Sequence, residues 1–345
     1  MKRTIYTGGY TDTSKGIYIC EFDTDDEEIC VKAVEENCEN PNFIVVHKEK
    51  KLLCALNEDA QHAWLTSYII TDDGKLMLAD CKKFEGKAPC HISMDKRGKR
   101  VFFANYETSE IGMVMIERNG KFLGDIKRII HKGKSVSERQ MSAHPHGVHV
   151  LDGERLAVPD LGTDEIRIYD ISESDMILAD IIKVTPGDGP RHVVLHPNRN
   201  MLYVICELKN VIHTFIYEEG RWAKQQRISI LPPNAQGEFI AGEIAITADG
   251  SYLLASTRAW GNKRNEEGCI SIFRINDKGL LCYEKSLQSG GSHPRMFTIT
   301  DDDRYVLVAN QYSGNLIGYK FDSLNGDIKK ICSVDIPEIT CVLCN

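Results

Sequence analysis

Histidine, arginine and acidic side chains recur at or beside two repeated positions of this 345-residue sequence. An imidazole can accept a proton near neutral pH, guanidinium groups bind anions, and carboxylates can hold either group in place. Such a set can activate water and stabilise a negatively charged intermediate, provided that the fold brings its members together. The candidates are His91, Asn105, His144, His146, Asp160, Arg191, His192, Glu207, Glu243, Arg258, Arg295 and Asn310.

A repeated segment, which runs from a Pro to an Asn sixteen positions later, defines these positions. Residues 41–57, 89–105 and 294–310 each contain an apolar stretch, a polar turn and a second apolar stretch. This pattern predicts a β-hairpin. The same frame recurs with substitutions at 190–206 and 241–257, and one residue shorter at 145–160, while Gly8 occupies the final position of an N-terminal copy.

The seven copies are separated by roughly fifty residues, which is room for about four short strands each. Alternating segments between the hairpins, such as 165–171 and 315–321, are expected to be third strands. No long segment has helical periodicity. The sequence therefore predicts an all-β fold: a seven-bladed β-propeller with four antiparallel strands per blade, forming a single domain over residues 1–345. The N- and C-terminal strands are expected to pair and close the ring, because an open ring would expose sheet edges.

The first and last positions of each hairpin should face each other at its open end. Residues just after them are then expected to gather at one mouth of the central channel, where blade packing does not require polar groups. Asn and Asp at these places can instead cap the backbone. For the arginines an anionic partner is favoured, either a substrate or one of Glu207 and Asp160. Four other histidines are predicted to be structural, namely His47, His149, His196 and His213.

The composition limits the possible partners. A formal charge of −8 and a pI near 5.8 argue against a nucleic-acid or anionic-membrane surface. No apolar run is long enough to span a membrane. The twelve cysteines form no metal-binding motif, so we expect no metal, no cofactor and a reducing, cytoplasmic setting. The expected partner is a small anionic substrate, and the oligomeric state is left open between monomer and homodimer.

Four segments, at 139–148, 158–170, 187–198 and 309–316, resemble the seven-bladed propeller lactonases, and the likeness covers essentially the whole chain. That family includes bacterial propeller 6-phosphogluconolactonases and fungal carboxymuconate lactonizing enzymes. The resemblance implies that His146, Arg191, Glu207 and Arg258 are catalytic and that the other candidates line a substrate pocket. Ala143, Gly147 and Cys206 depart from the Pro, Ser and Asn that the family often has, which affects the substrate more than the fold.

The resulting hypothesis is a lactonase acting on a sugar-acid lactone, with 6-phosphogluconolactone favoured. His146 would be the general base, Glu207 would orient it or act as a second acid or base, and the arginines would bind the substrate and its oxyanion. One alternative is a carboxymuconate-type cycloisomerase using the same groups. Another is a non-enzymatic binding platform, for which the scattered Trp64, Trp222 and Trp260 offer little support. The loop 131–140, which lengthens one repeat, is a candidate cover for the site.

Overall fold

The computed structural model describes residues 1–345 and consists of seven four-stranded antiparallel sheets, numbered here as blades 1 to 7. Blade 1 contains β1 (Lys2–Gly9), β2 (Ile17–Asp23), β3 (Glu28–Glu35) and the C-terminal β28 (Ile339–Cys344). Blade 2 contains β4 (Pro41–His47), β5 (Leu52–Glu58), β6 (Ala63–Ile70) and β7 (Leu76–Phe84). Blade 3 contains β8 (Pro89–Met94), β9 (Arg100–Asn105), β10 (Glu110–Ile116) and β11 (Phe122–Ile130).

In blade 1 the innermost strand is β28. In every other blade the first strand in chain order is innermost and the last is outermost. Blade 4 contains β12 (His149–Val150), β13 (Arg155–Asp160), β14 (Glu165–Ile171) and β15 (Met176–Lys183). Blade 5 contains β16 (Pro190–Leu195), β17 (Met201–Cys206), β18 (Val211–Glu218) and β19 (Arg221–Ser229). Blade 6 contains β20 (Phe239–Ile246), β21 (Tyr252–Ala259), β22 (Glu267–Ile275) and β23 (Leu281–Ser292). Blade 7 contains β24 (Pro294–Ile299), β25 (Tyr305–Asn310), β26 (Asn315–Asp322) and β27 (Asp327–Asp335).

The innermost strands of neighbouring blades contact one another around a complete ring. Their order is β28, β4, β8, β12, β16, β20, β24 and again β28. The ring closes where β28 pairs with β1, with Ile5 opposite Cys344 and Gly8 opposite Cys341. The predicted seven blades and the predicted pairing of the terminal strands are therefore both confirmed. Closure in this way gives blade 1 its innermost strand, so that β1 is not left as a sheet edge.

Apolar side chains from facing blades form the core between the sheets. Where blade 7 meets blade 1, for example, Phe22 packs edge-on against Tyr305 at a ring separation of 4.9 Å, and Ile5 and Leu307 are fully buried beside them. Burying such large side chains on both faces of the inner strands supplies the main stabilisation of the ring. The inner strands are thus rigid supports for the side chains at their ends.

The predicted Pro and Asn positions face each other, and a β-bulge follows immediately. The pairs are Pro41 with Asn57, Pro89 with Asn105, Pro190 with Cys206, Ala241 with Thr257 and Pro294 with Asn310. In the four hairpins that begin with Pro, the register then skips one residue, which leaves Asn42, Cys90, Arg191 and Arg295 without a partner in the neighbouring strand. Bulges commonly redirect a side chain at a functional site.

Residues 131–148 connect β11 to the unusually short β12 and pass over the end of blade 4. His131 Nδ1 donates to Asp160 Oδ2 at 2.7 Å, and Gln140 Nε2 donates to the Leu161 carbonyl at 2.8 Å. These buried bonds fix the loop at both ends of the 3₁₀ helix Glu138–Gln140. The two other helices, Lys48–Lys50 and Gly261–Lys263, are equally short, and none of the helices has the length and apolarity of a membrane span.

Candidate active site

A cavity of about 240 Å³ lies where the open ends of several hairpins meet. Its size suits a ligand smaller than a typical drug molecule. Of the predicted residues, His146, Glu207, Arg258 and Arg295 line it, and Arg191 reaches it through an ion pair with Glu207. The four residues that were predicted to be catalytic therefore converge at one place.

The carboxylate of Glu207, directly after β17, is the centre of the charged cluster. Oε2 accepts from Arg258 Nη2 at 2.8 Å and lies 3.2 Å from Arg191 Nε, while Oε1 lies 2.7 Å from Arg139 Nη2. Burial alone would raise the pKa of Glu207, but Arg258 and Arg139 together hold that pKa well below its ordinary range. Glu207 is therefore an anion that holds three guanidinium groups in place.

Two of these guanidinium groups are almost fully buried, with Arg191 2% and Arg258 4% exposed. Burial, reinforced by Arg191 and Arg295, lowers the pKa of Arg258 to about 9, so it stays protonated at neutral pH. Arg295, in contrast, has no carboxylate within ion-pair distance, and its side chain makes only a long hydrogen bond to Gln311 Oε1 at 3.5 Å. The charge of Arg295 is thus available to a ligand.

His146 faces the same cavity from the stretch that precedes β12. Its backbone is held by a bond from its amide to the Pro159 carbonyl at 2.9 Å, and its Nδ1 is buried without a partner. Burial and the neighbouring Arg191 lower the pKa of His146 well below 6.5, so the imidazole is neutral at physiological pH. The expected contact between Glu207 and His146 is not made, because the arginines occupy the carboxylate.

A thiol also lines the cavity. The bulged Cys90 is buried, and its Sγ lies 3.5 Å from the His146 carbonyl, the position of a weak donor. Burial raises the pKa of Cys90 to about 12. Since the thiolate rather than the thiol is the nucleophile, Cys90 is not suited to covalent catalysis at neutral pH.

Three predicted substrate-binding residues lie behind the cavity, on the channel axis. His192 Nδ1 donates to Glu243 Oε1 at 2.8 Å, and the His192 ring is 5.4 Å from that of His146 and 4.8 Å from that of His91. His91, His192 and Glu243 do not line the cavity. His149, which was predicted to be structural only, joins this group, with its ring 4.5 Å from that of His91.

The two predicted asparagines are structural. Asn105 Nδ2 donates to Glu110 Oε1 at 2.6 Å, and Asn310 Nδ2 donates to the Ser289 carbonyl at 3.0 Å. Both side chains are fully buried, Asn105 bonding within blade 3 and Asn310 across to blade 6, and neither lines the cavity. The capping role that Asn often plays at strand ends therefore accounts for them.

Asp160 and His144 stabilise the structure around the cavity through hydrogen bonds and stacking. Besides its bond to His131, Asp160 accepts through Oδ1 from the amides of His144 and Gly162. His144 stacks on Tyr106 at a ring separation of 4.3 Å and donates through Nδ1 to the Tyr106 carbonyl. Neither residue lines the cavity, but His144 positions Tyr106, which does.

Besides Glu58, Cys90 and Tyr106, the lining residues that were not among the candidates include Tyr10, Arg139, Trp260, His293 and Tyr312. Tyr10 and Tyr312 stand two positions after Gly8 and Asn310, so the repeat register contained a signal for both. His293 precedes the first position of its hairpin and adopts a positive φ of 61°, as Asn40 and Ala88 do at equivalent places. Arg139 belongs to the inserted loop, for which the repeat has no counterpart.

Comparison with known proteins agrees with this geometry. The family model described as "Lactonase, 7-bladed beta-propeller" matches residues 4–344. An uncharacterized protein of Staphylococcus saprophyticus is 30% identical over 99% of both chains, and a protein of Bacillus subtilis named 6-phosphogluconolactonase is 26% identical over 98% of this chain and 97% of its own.

Among solved structures, a periplasmic gluconolactonase of Pseudomonas aeruginosa is similar, with a TM-score of 0.89 and 25% identity over 100% of this chain and 99% of its own. The family match covers nearly every residue of the ring, including all four converging residues. The chain belongs to the seven-bladed β-propeller lactonase family.

Proposed function

We propose that the protein hydrolyses a sugar-acid lactone and that 6-phosphogluconolactone is the favoured substrate. The observation that carries this proposal is a neutral, partner-free imidazole, His146, beside a preorganised cluster of guanidinium groups in one small cavity. Membership of the lactonase family supports the reaction class. The names of the relatives from B. subtilis and P. aeruginosa support a gluconolactone-type substrate.

In the proposed reaction, water attacks the lactone carbonyl and His146 accepts its proton. The carbonyl oxygen becomes an oxyanion in the tetrahedral intermediate. The intermediate collapses with cleavage of the ring C–O bond, and the proton from His146 passes to the departing alkoxide, which leaves as a hydroxyl group. The products are a carboxylate and a neutral imidazole, with one proton released to solvent as the acid ionises. Base catalysis of this kind contributes about 10²–10⁴-fold.

The arginines divide into two roles in this scheme. Arg258 and Arg191 are held rigidly by Glu207, so they can stabilise the oxyanion without reorganising during the reaction. Arg295, which lacks a carboxylate partner, would anchor the anionic phosphate. Three guanidinium groups line the pocket and that of Arg191 pairs with Glu207, against the carboxylates of Glu58 and Glu207, so the pocket favours an anion although the whole chain is acidic.

The test is lactone hydrolysis followed by acid release, with the spontaneous rate subtracted and a muconate ring-closure assay run in parallel. We expect hydrolysis by the wild type and a loss of about 10²–10³-fold in kcat for His146→Ala. His47→Ala is the matched control, since His47 lies at the opposite end of the β4–β5 hairpin. Equal rates for His146→Ala and the control, or activity in the muconate assay alone, would overturn the proposal.

The phosphate preference has its own arm of this experiment. We expect a higher kcat/KM for 6-phosphogluconolactone than for unphosphorylated gluconolactone. Arg295→Gln should reduce that ratio by about tenfold or more, the equivalent of one charge-assisted contact. An unchanged ratio would remove Arg295 as the phosphate anchor, while leaving hydrolysis itself intact.

We also infer a reducing compartment such as the cytoplasm. All twelve cysteines are free thiols in the structure, and Cys81 is exposed. Exposed free thiols are disfavoured where disulfides form readily. The similar gluconolactonase of P. aeruginosa is described as periplasmic, so counting free thiols in protein isolated from its native cells is the deciding measurement.

A further inference from the structure

Three imidazoles face one another on the channel axis behind the lactonase pocket. The rings of His91, His149 and His192 are separated by 4.5, 4.8 and 5.2 Å. One ring nitrogen of each lies within 4.8 Å of a ring nitrogen of both others. They come from β8, β12 and β16, the innermost strands of three consecutive blades. Adjacent blades are the ones whose side chains can meet at one side of the axis.

We propose that these three histidines bind a divalent transition-metal ion of the zinc type. Three imidazole ligands with one further position for water is an established coordination set for Zn²⁺, and Co²⁺ and Ni²⁺ accept the same donors. A tetrahedral site with Zn–N distances of about 2.0–2.1 Å requires ligand nitrogens about 3.4 Å apart. The imidazoles need small side-chain rotations to reach that spacing.

The surroundings of each ring suit this role. Glu243 Oε1 accepts from His192 Nδ1 at 2.8 Å, which fixes the tautomer that leaves Nε2 as an electron-pair donor. A carboxylate behind a metal-binding histidine is the usual outer-sphere arrangement. His149 Nε2 is buried and has no hydrogen-bond partner. His91 has only a long contact of 3.3 Å from the Val148 amide to Nδ1, which metal binding would replace.

Space and charge at this place also permit an ion. A cavity of about 280 Å³ adjoins His91 and His149 and is otherwise lined mostly by apolar side chains. Few other groups there could therefore compete with the histidines as ligands of the ion. Arg191 is the neighbouring cation, with Nη1 3.3 Å from His192 Nδ1 and 3.5 Å from Nε2, and its charge is already offset by Glu207. The neighbouring carboxylate of Glu243 offsets part of the charge of the incoming ion.

The metal would join three blades rather than take part in the lactone reaction. His91, His149 and His192 do not line the lactonase pocket, so the ion would lie beneath its floor. Cross-linking β8, β12 and β16 compensates for the shortness of β12, which has only the two residues His149 and Val150. We therefore expect metal binding to raise the thermal stability of the folded ring.

The test uses full-length protein without a polyhistidine tag, stripped with a chelator and dialysed. We expect one equivalent of Zn²⁺ by calorimetry and by elemental analysis, a tetrahedral Co²⁺ absorption spectrum, and a higher Tm with Zn²⁺. His149→Gln should remove the bound equivalent, and Glu243→Gln should weaken binding by about 10–100-fold. His196→Gln is the matched control and should bind like the wild type, since His196 lies in the turn between β16 and β17, at the other end of that hairpin from Arg191 and His192.

Wild-type protein that takes up no Zn²⁺ at micromolar concentrations would overturn the metal site. Equal Zn²⁺ binding by wild type and by folded His149→Gln would overturn it as well. If His149→Gln does not fold, the Co²⁺ spectrum of the wild type and the affinity of Glu243→Gln decide the matter. These measurements are independent of lactone hydrolysis, so failure of one proposal does not affect the other.

Discussion

At the residue scale, the pocket is organised by an acid that is itself unsuited to proton transfer. Glu207 is 3% exposed and is surrounded by Arg139, Arg191 and Arg258. Removing one member of a buried ion pair costs about 3–5 kcal/mol, because the remaining charge is left uncompensated. The cluster is therefore rigid, which is what oxyanion stabilisation requires.

Arg139 is the one member of this cluster whose side chain is substantially exposed, at 39%. It bridges the mouth of the pocket, with its guanidinium 2.7 Å from Glu207 and 5.8 Å from the ring centre of Trp260. We predict that Arg139→Ala raises KM for an anionic lactone by about tenfold, the loss of one charge-assisted contact. Steady-state kinetics with 6-phosphogluconolactone measures this change.

The same substitution should lower the free energy of unfolding by less than the roughly 3–5 kcal/mol of a fully buried pair, because Arg139 is 39% exposed and Glu207 keeps Arg191 and Arg258 as partners. Arg221→Ala, on the outermost strand of blade 5, removes the same side chain away from the pocket and should leave KM unchanged. If KM for the two variants proved equal, Arg139 would have no part in substrate binding.

How far such residues can be predicted depends on whether the repeat contains them. His146, Arg191, Glu207 and Arg258 occupy repeat positions, so aligning the copies was enough to bring them together. Arg139 lies in an insertion, and its approach to Glu207 depends on the bonds of the loop to Asp160 and Leu161. Bonds between segments distant in sequence leave no local pattern.

At the element scale, the bulge explains the division between lining and buried candidates. Hairpin pairing follows from alternating apolar residues, and its register was predicted correctly. The one-residue skip after Pro190 has no marker in the sequence, yet it places Arg191 and His192 in different environments. Arg191 reaches the pocket cluster and His192 turns to Glu243 on the axis. The residues beside the two repeated positions therefore divide between the pocket and the axis, and do not all gather at one surface as the repeat alone predicted.

The closing element is β1, where Gly8 stands between the terminal strands and blade 2. A Cβ at Gly8 would lie 2.1 Å from the Pro41 carbonyl oxygen and 2.9 Å from Cys341 Sγ. Because the backbone of β4 cannot move away without disturbing the ring, we predict that Gly8→Ala destabilises the protein by about 2 kcal/mol or more. Urea unfolding measures the loss.

Gly318 in β26 provides the matched control for this prediction. Its added Cβ would meet chiefly Cys332 Sγ, at 2.5 Å, and a side chain can rotate where a backbone carbonyl cannot. Gly318→Ala should therefore cost less than Gly8→Ala. Equal costs for the two substitutions would show that close packing at the closure does not limit stability.

At the scale of the whole molecule, the ring buries further imidazoles besides His146, two of them outside the pocket and one, His293, in its wall. His131 and His213 are fully enclosed beside Asp160 and Asp188, and His293 lies next to Arg258. Burial lowers the pKa of His131, of His213 and of His293, although the two aspartates partly counteract it. The folded state therefore opposes protonation of histidines in several separate blades.

Unfolding returns each of these imidazoles to a pKa of about 6.5. Below that pH the unfolded chain binds protons that the folded chain does not, so the free energy of unfolding falls as the pH drops from 6.5 toward the folded pKa values. Each histidine contributes up to about 1.4 kcal/mol per pH unit within that window. Above pH 7 the contribution is complete, and stability should change little.

We therefore predict that the urea midpoint of metal-free protein is flat from pH 8 to pH 7 and falls steeply from pH 7 to pH 5. Burial raises the pKa of Glu58 and of Glu243, which acts in the opposite direction nearer the carboxylate range, so pH 7 to 5 is the decisive interval. His213→Gln should reduce the number of protons bound on unfolding by about one, and so make the midpoint fall less steeply with decreasing pH. A midpoint that stayed constant down to pH 5 would mean that these imidazoles are protonated in the folded ring, because only equal proton binding by both states removes the dependence.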